Sequence, residues 1–292
     1  MKKICKLIIF VIKITAVASI VNHYVKILAS VLKGTKDEDE LLYGYHFGNV
    51  SYTKKGTGAA MLLLHQPIMN GSKEEWTPLV KELSKTYTVY VPDLPGFGYS
   101  DQPEISYSSY LYASFINAFI EDVVKNKAIV MAGGKAADFS VCAAALRPDN
   151  FEKLVLISPK GFSEEPLNCP IRAKVKKFVE IPLYGTFVYN MAWLGFFAKN
   201  IISTLPNLSL PKTIQSSKFA MLALWNGDLD LNIKDAAKET EIPMFIALGN
   251  TDSISGISAG IETRLFCGAK GLPHLGCDSQ KFLEEVQGWL GQ

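Results

Sequence analysis

The sequence is poor in the residues that build metal and disulfide sites. Five cysteines (Cys5, Cys142, Cys169, Cys267 and Cys277) in 292 residues are too few for a disulfide framework. Cys267 and Cys277 are close enough in sequence to pair across a short segment if the domain is exported; buried single thiols are the other reading. The four histidines stand at 23, 46, 65 and 274, and no Cys/His cluster has metal-ligand spacing, so no metal or other cofactor is expected. An excess of either charge is also missing. Thirty Lys and Arg against 28 Asp and Glu leave a net charge of +2 spread along the chain, which excludes the basic footprint of a nucleic-acid binder. Repeats and low-complexity stretches are absent, and 48% hydrophobic residues with 20% charged exclude a disordered chain.

What is present first is an apolar leader. "MKKICKLIIFVIKITAVASIVNHYVKILASVL" opens with three lysines in six residues and then runs apolar from Leu7 to Val21, broken by Lys13. A bilayer span needs about 20 apolar residues, but helix-compatible sequence continues to Leu32 without glycine or proline. The readings are an uncleaved anchor, a secretory signal cut after "AVA" (Ala16 to Ala18), or an amphipathic helix of a soluble protein. Lysines ahead of the apolar run favour a cytoplasmic N-terminus with the rest exported. The expected layout is an anchor over 1–32, a charged linker over 33–42 and one domain over 43–292, attached to the cell membrane and facing outward. A secreted or cytoplasmic chain is the alternative.

From Tyr43 onward strands and helices alternate. "AAMLLLH" (Ala59 to His65) is a continuous apolar run, as a buried central strand requires, and "EEWTPLVKELSKT" has apolar residues at helical spacing. "YTVYVPD", "AIVMA", "KLVLISP" and "PMFIALG" repeat the strand pattern, with helix-like stretches between them. The order predicts an α/β fold with a mostly parallel, doubly wound sheet. Residues 161–241 interrupt the rhythm. They are rich in aromatic and aliphatic residues and suit a helical lid inserted after the sixth strand.

The stretches "VPDLPGFGYSD", "AIVMAGGKAADFSVCAAALRPDNFEKLVLISP", "PMFIALGNTD" and "GLPHLGCDSQKFLEEVQGWL" together resemble the α/β-hydrolase superfamily, in its lidded esterase and haloperoxidase-like branch. The resemblance covers most of residues 45–292. It implies a serine on a tight strand-to-helix turn, a histidine, an acid, and two backbone N–H groups for an oxyanion.

Each part was compared with what this sequence supplies. The small-x-Ser-x-small pattern falls on Ala132-Gly133-Gly134-Lys135-Ala136, so Gly134 stands at the nucleophile position and Lys135 beside it. A glycine there is expected to enlarge the floor of the cleft. The acid position is retained as Asp252 in "GNTD". In "KGLPHLG", Gly271 stands where the resemblance places the catalytic histidine, and only His274 remains as a substitute base. At the oxyanion strand end His65-Gln66-Pro67 replaces His-Gly-x, and proline has no N–H to donate.

Two functions follow. The first is a binding or interaction domain at the cell envelope, without serine-hydrolase chemistry, taking a small apolar or acyl-type ligand near His65, Gln66 and Lys135. The second is an active hydrolase acting on an ester or similar carbonyl through relocated residues, such as Asp252, His274 and a lid serine or Ser72.

Overall fold

The computed structural model describes residues 2–33, 39–162, 179–204, 214–250, 252, 261–266, 273–275 and 279–291. The helices are α1 (Lys2–Lys33), α2 (Thr77–Leu83), α3 (Ser109–Phe119), α4 (Lys135–Leu146), α5 (Tyr184–Thr204), α6 (Lys218–Asn226), α7 (Lys234–Glu239) and α8 (Ser279–Leu290). The strands are β1 (Glu40–Tyr45), β2 (Gly48–Lys55), β3 (Ala59–Leu64), β4 (Tyr87–Pro92), β5 (Ala128–Gly133), β6 (Phe151–Ile157), β7 (Met244–Gly249) and β8 (Glu262–Phe266).

They form one sheet in the order β1-β2-β4-β3-β5-β6-β7-β8. The β1/β2 and β2/β4 pairs are antiparallel, and from β4 through β8 every pair is parallel. The apolar runs predicted as central strands occupy its middle, and β5 and β7 are buried along their whole length. Successive side chains of a strand point to opposite faces, so each run feeds two cores. Leu62, Leu64, Val130 and Leu154 pack with α3 and α4. Met61, Leu63, Met131 and Val155 pack on the other face with Trp76, Leu79, Phe282 and Val286. The predicted doubly wound α/β architecture is therefore the one observed.

Two boundaries differ from the sequence reading. Glu40, Leu41 and Leu42, assigned to a linker, form the start of β1, paired with Thr53, Tyr52 and Ser51. Helix α1 continues through Lys33. Both reflect local chemistry: the acidic run just before β1 suits an exposed edge strand, where charge blocks further pairing.

The segment between β6 and β7 contributes α5, α6 and α7. It bonds to the loops at the carboxyl ends of the strands. Ser216 Oγ accepts from Asn70 N–H (3.0 Å) and donates to the Ile68 carbonyl (3.2 Å). Trp193 Nε1 donates to Asn70 Oδ1 (2.8 Å), and Ser217 N–H to the Gly96 carbonyl (2.7 Å). Tyr189 and Met221 of this segment join the core above α4.

Helix α1 is the one described helix long and apolar enough to cross a membrane, with a mean hydropathy of 2.4. Its first half is exposed. Its second half docks on the domain through Thr15, Ala18, Asn22 and Val25, spaced three and four residues apart. Thr15 Oγ1 and Tyr184 OH are 2.5 Å apart. Asn22 Nδ2 donates to the Leu183 carbonyl (3.0 Å), and its Oδ1 accepts from Asn190 (2.9 Å).

Candidate functional site at the strand–helix elbow

The loop after β4 fixes one wall of the site. Asp93 is fully buried, and its carboxylate accepts from the backbone N–H of Lys73 (2.6 Å) and Tyr99 (2.8 Å). Lys73 Nζ, itself buried, lies 3.3 Å from the same carboxylate and 3.5 Å from Glu40, and donates to Ser51 Oγ (2.8 Å). Gly98 has φ +53°, and a Cβ there would lie 2.1 Å from the Asp93 carboxyl group. The motif "DLPGFGYS" is thus a loop tied around a buried carboxylate, and its second glycine makes room for that carboxylate.

His65 ends β3 and is fully buried. Leu94 N–H donates to its Nε2 (2.9 Å), so the ring hydrogen is on Nδ1 and is donated to the Gln66 carbonyl (2.8 Å). Both ring nitrogens are occupied by backbone.

The next residue reaches the elbow. Gly134 joins β5 to α4 with φ +56° and ψ −126°, a conformation that costs any residue with a Cβ. A Cβ on Gly134 would lie 2.5 Å from Gln66 Oε1 and 3.0 Å from its Cδ and Cγ. The Gln66 carboxamide therefore fills the space into which a nucleophile's side chain would project. The cleft floor is not enlarged at Gly134, because Gln66 occupies the vacated volume.

Behind Gln66 lies a carboxylate that the sequence reading did not single out. Glu75 Oε2 accepts from Gln66 N–H (3.0 Å), and Oε1 is 2.9 Å from His274 Nε2. The His274 ring is fully buried and stacked on Trp76, with centroids 4.6 Å apart. Its Cε1 would lie 3.8 Å from a Cβ on Gly133. His274 Nδ1 has no hydrogen-bond partner among the described residues. Of the two backbone donors that the resemblance assigns to an oxyanion, Pro67 has no N–H. The neighbouring Gln66 N–H is bound to Glu75.

Asp252 stands elsewhere. Its Oδ2 accepts from Gly249 N–H (2.9 Å), and its Oδ1 pairs with Lys160 Nζ (2.9 Å). Among the described residues no bond joins Asp252 to His274. Lys135, at the start of α4, is nearly buried and forms an ion pair with Asp230 of the inserted segment. Ser72 opens the turn that carries Glu75, its carbonyl accepting from Glu75 N–H (3.1 Å). Gly271, Cys267 and Cys277 lie outside the described residues. Gly134, Gln66 and His274 thus come together around Glu75, while Asp252 and Lys135 are each engaged with an opposite charge.

One turn into α4, Asp138 is fully buried. Desolvation pushes its carboxyl up to about 7, against the lowering effect of the Gly161 N–H, Lys135 and the Lys160 N–H. Its Oδ1 accepts from Lys160 N–H (3.0 Å) and Gly161 N–H (2.9 Å), while Oδ2 has no hydrogen-bond partner among the described residues. It holds the chain where the inserted segment leaves β6.

Comparison with known proteins places this geometry. The family model described as alpha/beta hydrolase fold matches residues 59–255. A 2-(acetamidomethylene)succinate hydrolase of Mesorhizobium japonicum is 33% identical over 122 residues, 42% of this chain and 43% of that protein. An uncharacterized protein of Mycobacterium tuberculosis is 25% identical over 222 residues, 68% of this chain and 63% of its own. The matched stretch therefore spans less than two thirds of either relative. Among solved structures, bromoperoxidase from Bacillus anthracis superimposes with a TM-score of 0.70 at 16% identity, over 87% of this chain and 100% of that one. The family match extends over well more than half of the sequence, and the strand order, the elbow and the Asp93 loop all fall within it: the chain belongs to the alpha/beta hydrolase fold family.

Proposed function

We propose that this protein is a membrane-tethered binding domain on the α/β-hydrolase fold, without the serine-hydrolase chemistry of its relatives. The observation that carries the reading is the Gln66 side chain packed onto Gly134. A serine hydrolase needs an open nucleophile at this point, with a base beside it and an oxyanion donor opposite. Here the position has no side chain, the space is filled, and Gln66 N–H is held by Glu75. Without nucleophile and base the reaction has no chemical route.

The inserted segment acts as a lid on this reading, and an apolar or acyl-type ligand is the class that its aromatic and aliphatic surface would hold. Helix α1 serves as the anchor, with its lysine-rich end in the cytoplasm and the domain outside. Treatment of the full-length protein, in mild detergent, with a fluorophosphonate probe tests the loss of chemistry. No covalent adduct is expected. Labelling of any serine in the folded domain would sink the proposal.

One observation favours the competing reading of an active hydrolase: the Glu75–His274 pair lies against the elbow. Turnover of p-nitrophenyl esters that disappears in His274→Ala would establish it. On the binding reading a broad ester and lactone panel gives no turnover.

A further inference from the structure

A polar cavity of about 460 Å³ lies where α1 meets the inserted segment. Its wall is a ladder of carboxamides. Gln102 donates to the Gln215 carbonyl (2.7 Å), Gln215 to Asn190 Oδ1 (3.0 Å), Asn190 to Asn22 Oδ1 (2.9 Å), and Asn22 to the Leu183 carbonyl (3.0 Å). Each carboxamide carries two N–H donors. The ladder uses one from each, so the wall keeps hydrogen-bonding capacity for a ligand.

The charges are uneven. Lys26 and Lys218 line the cavity together with His23, against the single carboxylate of Glu104. Lys218 is held in place by Thr186 Oγ1 (3.1 Å) and stands over the Phe219 ring. Lys26 has no acidic partner among the described residues. Two ammonium groups beside a wall of amide and serine donors suit a phosphate that carries hydroxyl groups.

The position along α1 points to the source of such a group. The apolar run ends at Val21, and Asn22, His23 and Lys26 follow at once. Lys26 stands five residues, about 7 Å of helix rise, beyond that end. A bilayer core of about 30 Å within a total of about 40–45 Å leaves a headgroup layer of about 5–7 Å on each side. The cavity therefore lies at headgroup depth when α1 spans a bilayer.

We propose that this cavity binds the headgroup of an anionic, hydroxyl-bearing phospholipid such as phosphatidylglycerol. Lys26 and Lys218 take the phosphate, and the carboxamides and Ser217 take the glycerol hydroxyls. The bound lipid bridges the anchor to the inserted segment. This deepens the membrane-tethered reading and rests on it.

The test uses full-length protein in a non-ionic detergent, titrated calorimetrically with short-chain phosphatidylglycerol, short-chain phosphatidylcholine and free glycerol 3-phosphate. Phosphatidylglycerol should give a saturable isotherm. Phosphatidylcholine and the Lys26→Ala/Lys218→Ala variant should each bind about tenfold or more weakly. Should the double variant melt early, Lys26→Gln alone, at an exposed position, should still weaken binding. Equal binding of the two lipids, or an isotherm untouched by either variant, would overturn the proposal. Glycerol 3-phosphate binding as tightly as the lipid would overturn the lipid assignment. Cell fractionation separates the two levels: recovery of the full chain in the soluble fraction sinks the anchor reading, whereas the isotherms judge the cavity alone.

Discussion

Gln66 Oε1 lies 2.5 Å from the point where a Cβ on Gly134 would begin, closer than real Cβ contacts allow. The two residues are therefore one unit. A side chain at 134 requires a different one, or a different rotamer, at 66. Gly134→Ser is expected to cost about 1–3 kcal/mol, from the positive φ and the displaced carboxamide. Chemical denaturation measures it. Adding Gln66→Gly should recover part of that loss, and neither variant should react with a fluorophosphonate. Labelling of the single variant would mean that the pocket opens unaided.

Glu75 bridges a backbone N–H and a buried histidine. Glu75→Ala leaves both without an acceptor, each unsatisfied group costing about 1–3 kcal/mol. Glu75→Gln keeps one carbonyl oxygen and should lose less. The ordering of the two midpoints in urea checks this. If both variants match the parent, the pair contributes nothing to stability.

The buried triad of Lys73, Asp93 and Glu40 gives a larger effect. Lys73→Met removes the cation and leaves two buried carboxylates facing one another, at a cost of about 3–5 kcal/mol. A melting temperature close to that of the parent protein would show that solvent reaches the cluster.

Asp138 sets a pH dependence. Its folded value of about 7 lies above the ordinary aspartate value of 3.8, so the folded state binds the extra proton between the two. The burial penalty is absent at low pH, grows as pH rises from about 4 to 7, and is complete above 7. Asp138→Asn keeps an oxygen for the Lys160 and Gly161 N–H groups and removes the charge. It should stabilise the protein at pH 8 more than at pH 5. A gain independent of pH would show that Asp138 is not the titrating group.

Much of the fold could be read in advance because a parallel sheet buried on both faces needs unbroken apolar runs, as in "AAMLLL" and "AIVMAG". The elbow was legible for a similar reason, since small residues at 132, 133, 136 and 137 are what a tight strand-to-helix turn demands. Other features had no local signature. Glu40 to Leu42 pair at the sheet edge, where exposure removes the apolar pattern. Glu75 sits in a stretch that reads as an ordinary amphipathic helix, and its partner His274 lies 199 residues away. The pairing of Asp252 with Lys160 is equally remote in sequence. The Gln66 rotamer depends on a loop from one strand meeting the turn of another, which no spacing rule encodes.

The docking of α1 through Thr15, Ala18, Asn22 and Val25 means that the leader is geared to the domain. A floppy tether would let the domain tumble; a seam of this spacing fixes its azimuth. Inserting one residue between Lys13 and Thr15 would rotate residues 2–13 by about 100° relative to everything after them. The faces of the exposed half, and whatever they meet, are thus set by the packing of the second half.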